Sequence, residues 1–389
     1  MSTEISAGTW REDQLRLNAI CPYYTMFPLD FPLHHLAGHP DAKRVLDPFC
    51  GRGTTLFAAR LTGKPFLGID LNPVAVAIAR AKAVNVRPEG VLRLARRLVT
   101  RTSAAEVPRG EFWEWCFHPA TLAELVALRE ALLRHSDSPT ANLLRAVMLG
   151  ILHGPRNKGL PSYLSNQMPR TYASKPAYAV RYWRERGLSP VHVDTLDVIG
   201  RRLRHVLAAP PTPVAGRVLL GDAATTLRSL RDRFDLVITS PPYYAMRTYI
   251  PDQWLRYWFL GGPPEIEYGT KGQLGRQPSQ ESFIATLAEV WRATAERCDR
   301  GAHLVVRFGA LPSSKVDPER MLLASLRQAG VGWAVRDVRP AGAATGPRRQ
   351  AEQFGRAGRA VDEIDVTAEL LSRPARRGPA HRMAITPPN

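Results

Sequence analysis

The feature that most constrains the fold is an alternation of strand-like and helix-like segments near the N-terminus. The run KRVLD at residues 43–47 predicts a short buried strand, and the glycine-punctuated turn PFCGRGTT follows at 48–55. A helical segment, LFAARL, leads to a second strand at 64–70, and Pro73 then opens another helix at its favoured first position. Strand, turn, helix, strand and helix in this order predict a βαβα unit of a parallel sheet.

The alternation stops for an insertion of roughly 130 residues, the size of a small domain, and then resumes. Residues 87–214 have a helical and irregular pattern, and their clearest amphipathic helix is LAELVALREALL at 122–133. Strand patterns return as GRVLLGD at 216–222 and as FDLVITSPPYY at 234–244. We therefore expect the sheet to be divided by a mostly helical insertion.

The C-terminal part continues the same alternation. A helix is predicted at 282–298 and a strand at 303–308. The residues of that helix expected to face the sheet are Phe283, Leu287, Val290 and Trp291. Two late strands are predicted at 333–340 and 361–370, where they could form an antiparallel pair.

These patterns divide the chain into four parts. Residues 1–86 form the first half of a doubly wound α/β domain, 87–214 the helical insertion, and 215–370 the second half. Residues 371–389 are rich in Pro and Arg, and we expect them to form a flexible tail.

The charge of the chain points to a polyanionic partner. Among 389 residues, 53 are Lys or Arg and 35 are Asp or Glu, which gives a formal net charge of +18. Such a surface attracts nucleic acid, although a bias toward arginine can also reflect a GC-rich genome. The four cysteines, at 21, 50, 116 and 298, are far apart, so neither a zinc site nor a disulfide framework is expected.

The sequence predicts a protein of the reducing cytoplasm, associated with the nucleoid if it binds DNA. Its N-terminal residues, MSTEISAGTWREDQLRL, lack the apolar core of a secretory signal. The longest apolar stretch, at 143–152, is too short to span a membrane and contains Arg145. Neither a membrane nor a metal is therefore expected among its partners.

The turn after the first strand lies where a doubly wound sheet places its ligand. Gly51 and Gly53 let the backbone approach a bound molecule, and free amide groups there can hold a carboxylate or phosphate. Leu56 stands where the dinucleotide fingerprint has its third glycine, which argues against NAD. Asp70 ends the second strand, where it could accept two ribose hydroxyls or, alternatively, cap the next helix.

A second motif, Thr239-Ser240-Pro241-Pro242-Tyr243, follows an apolar strand. Its prolines restrict the backbone and lack amide donors, so their carbonyl groups project rigidly. With a hydroxyl and an aromatic ring beside them, these carbonyls suit gripping a planar group that carries an exocyclic amine. The alternative is a proline-stiffened loop that packs its tyrosine into the core.

The turn DPFCGRGTT and the segment TSPPYY together resemble the S-adenosyl-L-methionine (AdoMet)-dependent DNA amino-methyltransferases, which methylate N4 of cytosine or N6 of adenine. The resemblance covers about residues 20–90 and 215–370. It implies a class I methyltransferase fold, which is a Rossmann-like, doubly wound sheet of seven strands whose last strand is antiparallel. It also implies AdoMet as the cofactor and double-stranded DNA as the substrate.

The resemblance assigns cofactor-binding residues position by position. Those expected to line the methionine end of AdoMet are Asp47, Phe49, Gly51, Gly53 and Thr54. Asp70 would hold the ribose, and Asp222 would meet the adenine ring. Thr25 and Phe27 resemble the segment that closes over the AdoMet carboxylate, and a loop that merely packs on the sheet is the alternative.

The same resemblance places Ser240, Pro241, Pro242 and Tyr243 on the catalytic tetrapeptide of the family. A leading Ser favours N4 of cytosine and a leading Asp favours N6 of adenine, so Ser240 predicts a cytosine-N4-specific enzyme, with adenine N6 as the alternative. Arg52 departs from the smaller residue usual between the two glycines, which affects the fine geometry of the turn rather than the cofactor class.

The expected chemistry is an in-line displacement at the AdoMet methyl group. The target nitrogen is a poor nucleophile because its lone pair is delocalised into the ring. Hydrogen bonds to the Ser240 hydroxyl and the Pro241 carbonyl would localise that pair, and the base would flip out and stack on Tyr243. No covalent cysteine is required, since Cys50 lies in the AdoMet turn and the chain contains no Pro-Cys dipeptide.

The insertion is expected to supply DNA contacts. Its segment at 156–186 holds seven basic residues and one acidic residue, together with Tyr163, Tyr172, Tyr178, Tyr182 and Trp183. Cations bind phosphates and aromatic rings stack on bases, although a solvated arginine-rich helix would look similar. The residues predicted to contact DNA are Arg156, Lys158, Arg170, Tyr172, Lys175 and, after the tetrapeptide, Arg247. Tyr249 and Trp254 near Arg247 could close over the base or belong to the core.

Two other functions fit parts of the sequence. An RNA or tRNA guanine-N2 methyltransferase has a similar catalytic loop but usually carries an RNA-binding domain first, and only about forty residues precede Asp47. A catalytically silent nucleic-acid-binding protein could keep the fold, although the intact motifs argue against it. No nuclease motif is recognisable, so a restriction-modification role would need a cognate restriction endonuclease on another polypeptide.

Overall fold

The computed structural model describes most of the chain. The described residues are 6–23, 27–102, 106–155, 159–168, 175–244, 253–266, 277, 279–310, 316–341 and 363–372. Among them, no helix is both long and apolar enough to cross a membrane. Nor does this part of the chain group three or more His, Cys, Asp or Glu side chains where they could hold a metal ion.

Seven strands form one sheet in the described residues. They are β1 (Val45–Asp47), β2 (Phe66–Asp70), β3 (Gly216–Leu220), β4 (Phe234–Thr239), β5 (Cys298–Gly309), β6 (Trp333–Pro340) and β7 (Glu363–Leu370). Across the sheet their order is β3-β2-β1-β4-β5-β7-β6, and β7 runs antiparallel to the other six strands. This is the class I methyltransferase sheet that the resemblance implies, and the predicted antiparallel pair of late strands is confirmed.

The order of the strands reverses direction beside β1. From β1 the chain proceeds to β2 and β3 on one side, whereas β4 and β5 lie on the other. Doubly wound sheets bind their ligands at such a reversal, beyond the carboxyl ends of the two central strands. Those ends are Asp47 of β1 and Thr239 of β4, so the loops after them border the expected site.

The helices confirm most of the predicted pattern. In chain order they are α1 (Glu12–Leu15), α2 (Asp30–Gly38), α3 (Thr54–Leu61), α4 (Pro73–Ala83), α5 (Pro88–Arg101), α6 (Glu111–Cys116), α7 (Pro119–Arg134), α8 (Pro139–Ile151), α9 (Pro176–Glu185), α10 (Thr195–Val206), α11 (Ala223–Ser229), α12 (Trp254–Phe259), α13 (Gln280–Glu296) and α14 (Pro318–Ala329). The helix predicted at 282–298 ends earlier, because Cys298 already belongs to β5 and pairs with Phe234. Helix α14 was not predicted, although Asp317 caps it and Pro318 opens it.

The helical insertion packs directly on the sheet domain. Its helices α5–α10 lie between Pro88 and Val206, and α8 lies along α4. A single cluster of buried side chains joins these helices to α4 and to Trp254 and Phe259 of α12. The insertion therefore shares a core with the sheet domain, and its part in target recognition stays a prediction.

Arginine side chains from three parts of the chain hold the backbone of residues 18–22. The hydrogen bonds run from Arg52 to the carbonyls of Asn18 and Cys21, from Arg202 to those of Ala19 and Ile20, and from Arg256 to that of Pro22, over 2.5–3.4 Å. Arg52 comes from the glycine turn, Arg202 from α10 and Arg256 from α12. The unusual residue between the two glycines thus anchors the N-terminal segment.

Gly150 lets α8 approach this segment closely. A Cβ at that position would lie 2.2 Å from the carbonyl oxygen of Ile20, so the helix or the segment would have to shift. We expect Gly150→Ala to lower the free energy of unfolding by about 1–3 kcal/mol, the usual cost of overpacking a core. Urea unfolding of the variant measures the loss.

Gly200 of α10 provides the matched control. Its added Cβ would meet its nearest neighbour, Arg204, at an ordinary 3.5 Å. Helix propensity should then make Gly200→Ala as stable as the wild type or up to about 1 kcal/mol more stable. Equal stability of the Gly150 and Gly200 variants would contradict the close approach of α8.

Candidate active site

The two motif-bearing loops meet at one edge of the sheet, as predicted. β1 and β4 are parallel neighbours, with Val45 opposite Leu236. Where these strands end, the hydroxyl of Thr239 donates a hydrogen bond to Oδ1 of Asp47 at 2.6 Å. This bond joins residues 192 positions apart in the sequence and fixes the start of the tetrapeptide against the start of the glycine turn.

Asp47 is a buried carboxyl group with one unused oxygen. Its Oδ1 accepts from Thr239 and, at 3.1 Å, from the backbone amide of Phe49, whereas its Oδ2 has no partner. Burial raises the pKa of Asp47 from its ordinary value of 3.8 to about 7, and the hydrogen bonds from Thr239 and Phe49 oppose that rise. The carboxyl group, including Oδ2, is therefore shielded from solvent by the surrounding protein.

Two glycines shape the turn after β1. Gly51 and Gly53 have φ values of 50° and 77°, in the left-handed region that side-chain-bearing residues rarely adopt. At Gly53 a Cβ would also lie 3.0 Å from the Cβ of Ala79 in α4, so a side chain there would push the turn away from the helix. The amide of Gly51, expected to be free for a ligand, instead donates to Asp70 at 2.8 Å.

Asp70 connects the loops that follow β1 and β2. Its Oδ2 accepts from Gly51 and its Oδ1 from the amide of Asn72, each at 2.8 Å. The alternative role as a helix cap is wrong, because Asn72 caps α4 by accepting from the amide of Val74. Burial raises the pKa of Asp70, and the two amide bonds limit the rise. Each oxygen keeps a lone pair that could accept a hydroxyl proton.

The carboxyl ends of β2 and β3 expose apolar side chains that the sequence analysis missed. Leu71, directly after Asp70, is 47% exposed, and Leu220, which pairs with Asp70 across the two strands, is 53% exposed. Asp222 follows Leu220 and caps α11 by accepting from the amide of Thr225 at 2.9 Å. Large apolar residues beside a strand-end carboxylate can pack against the face of a flat ring. Leu71 and Leu220 could have been predicted as site residues, because they lie close in sequence to Asp70 and Asp222.

Of the other residues predicted to bind the cofactor, Phe49 lies in the glycine turn, Thr54 follows that turn, and Phe27 lies just before α2. Thr54 begins α3, and Phe49 is partly buried with its ring edge toward Trp291. Phe27 packs edge-on against Phe31 of α2, with ring centroids 5.0 Å apart. Thr25 lies outside the described residues, but nearby Tyr23 accepts a hydrogen bond from Asn72. The segment before Thr25 is thus attached next to the Asp70 loop.

The tetrapeptide presents a partly exposed hydroxyl and a fixed aromatic ring. Ser240 is partly exposed, whereas Pro241 is buried. The ring of Tyr243 packs edge-on against Phe308 of β5, and its hydroxyl donates to Glu363 of β7 at 2.5 Å. Strands β5 and β7 therefore hold this tyrosine in position, a contact across 120 residues that the motif itself does not reveal.

Comparison with known proteins agrees with this geometry. Residues 16–81 match the family model described as DNA methylase. The Type II methyltransferase M.MwoI of Methanothermobacter wolfeii is 25% identical to this chain over 130 residues. Over these residues the chain is similar to DNA methylases. The aligned part is 32% of this chain and only 17% of M.MwoI, so most of that protein has no counterpart in the match.

Two solved structures show a weaker likeness. TrmN of Thermus thermophilus gives a TM-score of 0.36 at 11% identity, and covers 92% of this chain and 53% of its own. The rRNA methyltransferase aviRa of Streptomyces viridochromogenes gives a TM-score of 0.35 at 15% identity. The match covers 95% of this chain and 97% of aviRa. At such scores neither likeness bears on activity, and the fold rests on the strand order above.

Most of the residues predicted to contact DNA lie outside the part of the chain that the structure describes. Those outside the described residues are Arg156, Lys158, Arg170, Tyr172 and Arg247. Lys175 is described and exposed, and it immediately precedes α9. Tyr178 of α9 is also exposed, with the guanidinium of Arg181 lying 5.8 Å from its ring centre.

Two residues considered for DNA contact, Trp183 and Trp254, belong to the core, and so does Asn166 of the basic segment at 156–186. Trp183 is fully buried and donates its indole N–H to the carbonyl of Gln167. Asn166 is buried and bonds the carbonyls of Trp115 and Leu188, and Trp254 packs 4.9 Å from Phe112. Segment 156–186 contains both basic and aromatic residues partly because α9 is amphipathic and its apolar face packs into the core.

Proposed function

We propose that the protein is an AdoMet-dependent DNA methyltransferase that acts on the exocyclic amine of a flipped base, namely N4 of cytosine. The observation that carries this proposal is the hydrogen bond between Thr239 and Asp47, which puts the glycine turn and the SPPY tetrapeptide at one site. A donor bound at the first loop and an amine held at the second would then be neighbours, and alignment is the chief requirement of a displacement reaction.

The residues at this edge fit AdoMet, which supplies a methyl group on a sulfonium. Asp70 has lone pairs for the two ribose hydroxyls, and Leu71 and Leu220 offer apolar surface to the adenine ring beside Asp222. Asp47 ends β1, beside the glycine turn that the family resemblance assigns to the methionine end of AdoMet. We assign Phe49, Gly51, Gly53 and Thr54 to that end, with Phe27 and Thr25 as further candidates, of which Thr25 lies outside the described residues.

The tetrapeptide would act on the amine without a covalent intermediate. The Ser240 hydroxyl and the Pro241 carbonyl accept the two amine hydrogens, which localises the nitrogen lone pair and points it outward. Tyr243, positioned by Phe308 and Glu363, supports the face of the flipped base. The leading Ser favours cytosine N4 over adenine N6, as the family resemblance implies.

Biologically, we propose a site-specific methyltransferase of a restriction-modification or related defence system. The match to a Type II methyltransferase supports this role, with a cognate restriction endonuclease as the partner that cleaves unmethylated DNA. The net charge of +18 agrees with a protein that stays near the DNA of the nucleoid in the cytoplasm.

The decisive test incubates the purified full chain with AdoMet labelled on its methyl group and with either unmethylated plasmid DNA or tRNA. We expect label in DNA only, and nucleoside analysis should find N4-methylcytosine. N6-methyladenine would correct the target base, label in tRNA would make the protein an RNA methyltransferase, and AdoMet binding without transfer would leave a silent binding protein.

Asp70 provides a prediction for the cofactor site alone. Asp70→Ala removes both amide bonds that link the two loops and the acceptor for the ribose, so AdoMet affinity should fall by about 10- to 100-fold. Asp235→Ala is the matched control, since Asp235 also accepts two amides, from Lys43 and Arg44, at the opposite end of the strands. Calorimetric titration should find AdoMet affinity unchanged in the control, and an equal loss in both variants would contradict this role of Asp70.

A further inference from the structure

One face of α5 carries a row of exposed arginines. Arg93, Arg96, Arg97 and Arg101 are all exposed, whereas Val91, Leu94 and Ala95 on the other face are buried in the core shared with the sheet domain. The helix is thus fixed on one side and presents its cations on the other. Its single acidic residue, Glu89, lies in the first turn.

The spacing of these arginines matches a linear polyanion. Arg93, Arg97 and Arg101 are four residues apart, so along the helix axis they are separated by about 6 Å per step. Arg96 lies one position to the side of Arg97 on the same exposed face. A row of about 12 Å can contact successive phosphates along a nucleic-acid strand, because each strand of a duplex carries one charge per 3.4 Å of axis.

The arginines line a shallow, open groove. The groove has a volume of about 690 Å³, and its opposite wall is the connection between α7 and α8, including His135, Ser138 and Thr140. No acidic side chain lines it among the described residues. Ser138 caps α8, which fixes that wall. We call this feature the α5 groove.

The arginines of the α5 groove also differ from other exposed arginines in lacking ion pairs. Elsewhere exposed guanidinium groups are commonly paired, as Arg217 is with Asp232 and Arg336 with Glu369. In the part of the chain that the structure describes, none of the four arginines of the α5 groove has a carboxylate within 4.0 Å. Four uncompensated cations in one concave surface repel one another, which a bound polyanion would relieve.

We propose that the α5 groove binds the sugar–phosphate backbone of double-stranded DNA outside the target base, which extends the function proposed above. A membrane surface fits less well, because membrane-binding helices add exposed apolar residues to their cations and the exposed face of α5 has none. The groove would position the duplex without reading its sequence, since phosphate contacts carry no base information.

The test compares two variants of the full chain that each lose four positive charges. The first changes Arg93, Arg96, Arg97 and Arg101 to Gln. The control changes to Gln four exposed arginines that are already ion-paired, namely Arg217, Arg228, Arg336 and Arg339. Both variants then have a net charge of +18 − 4 = +14, so a difference between them reports location rather than total charge. Fluorescence anisotropy with a labelled 30-base-pair duplex at several salt concentrations measures affinity.

We expect the groove variant to bind duplex DNA about 10- to 100-fold more weakly at moderate salt. The slope of log affinity against log salt concentration should also be smaller in magnitude by about 3 to 4, because each lost phosphate contact removes about 0.9 from it. The control should stay within about twofold of wild type. Equal effects in both variants would overturn the proposal, and so would a selective loss of binding to anionic vesicles with DNA binding kept. This readout needs no methyl transfer, so a wild type that binds duplex through the groove but transfers no methyl group would refute the proposed function alone.

Discussion

Replacing Ser240 with alanine is expected to lower the rate constant for methyl transfer by about 100- to 1,000-fold, the usual cost of losing one hydrogen bond to the reacting group. AdoMet affinity should stay within about twofold, because Ser240 follows β4 while the cofactor residues follow β1, β2 and β3. Thr239, which bonds Asp47, is untouched by the change, so the two loops should remain joined. Single-turnover transfer from labelled AdoMet, together with calorimetric AdoMet binding, measures both quantities.

Two further variants sharpen this prediction. Ser229→Ala removes an exposed hydroxyl that bonds only the Thr226 carbonyl in α11, and it should transfer methyl groups at the wild-type rate. Tyr243→Phe keeps the ring against Phe308 but loses the hydrogen bond to Glu363, so it should be impaired less than Tyr243→Ala. Loss of AdoMet binding in Ser240→Ala would assign this residue to the cofactor site, and an unchanged rate would remove it from catalysis.

The sequence predicted the central part of the site because its signals are local and its topology follows a general rule. Strands β1 and β4 are short apolar runs, and each is followed by a turn rich in Gly or Pro. Because the two strands are parallel and lie where the strand order reverses, their carboxyl ends are neighbours. The meeting of Asp47 and Thr239 could therefore be expected without any contact information. The antiparallel strand β7 lies between β5 and β6, which agrees with the fold that the family resemblance implies. No local sequence pattern indicates this position.

The contacts that could not be predicted are those in which distant segments meet through side chains. Tyr243 is held by Glu363 on a strand formed near the C-terminus, and residues 18–22 are held by arginines from three separate elements. The basic row on α5 was also missed, although Arg93, Arg97 and Arg101 repeat at helical spacing. The segment 156–186 was predicted to contact DNA partly because of its aromatic residues. Trp183, however, lies on the face of α9 that packs into the core.

A marked pH dependence of stability is expected from Asp47. In the unfolded chain this carboxyl ionises near pH 3.8, whereas burial raises its pKa to about 7 in the folded protein. Between these values the folded state binds a proton that the unfolded state has released, so the free energy of unfolding decreases as the pH rises from about 4 to 7. A shift of about three pKa units corresponds to a loss of about 4 kcal/mol, complete above the folded pKa.

Asp47→Asn should remove this contribution, because an amide cannot ionise while its oxygen can still accept from Thr239 and Phe49. Urea unfolding at pH 5, 6, 7 and 8 gives the difference between wild type and variant, in which the titration of all other groups cancels. We expect the variant to gain about 3 kcal/mol relative to wild type between pH 5 and pH 8, because about two of the three pKa units of the shift lie above pH 5. A constant difference between wild type and Asp47→Asn would mean that Asp47 is already ionised at pH 5, and that its unpartnered oxygen is stabilised by bound water rather than kept neutral by burial.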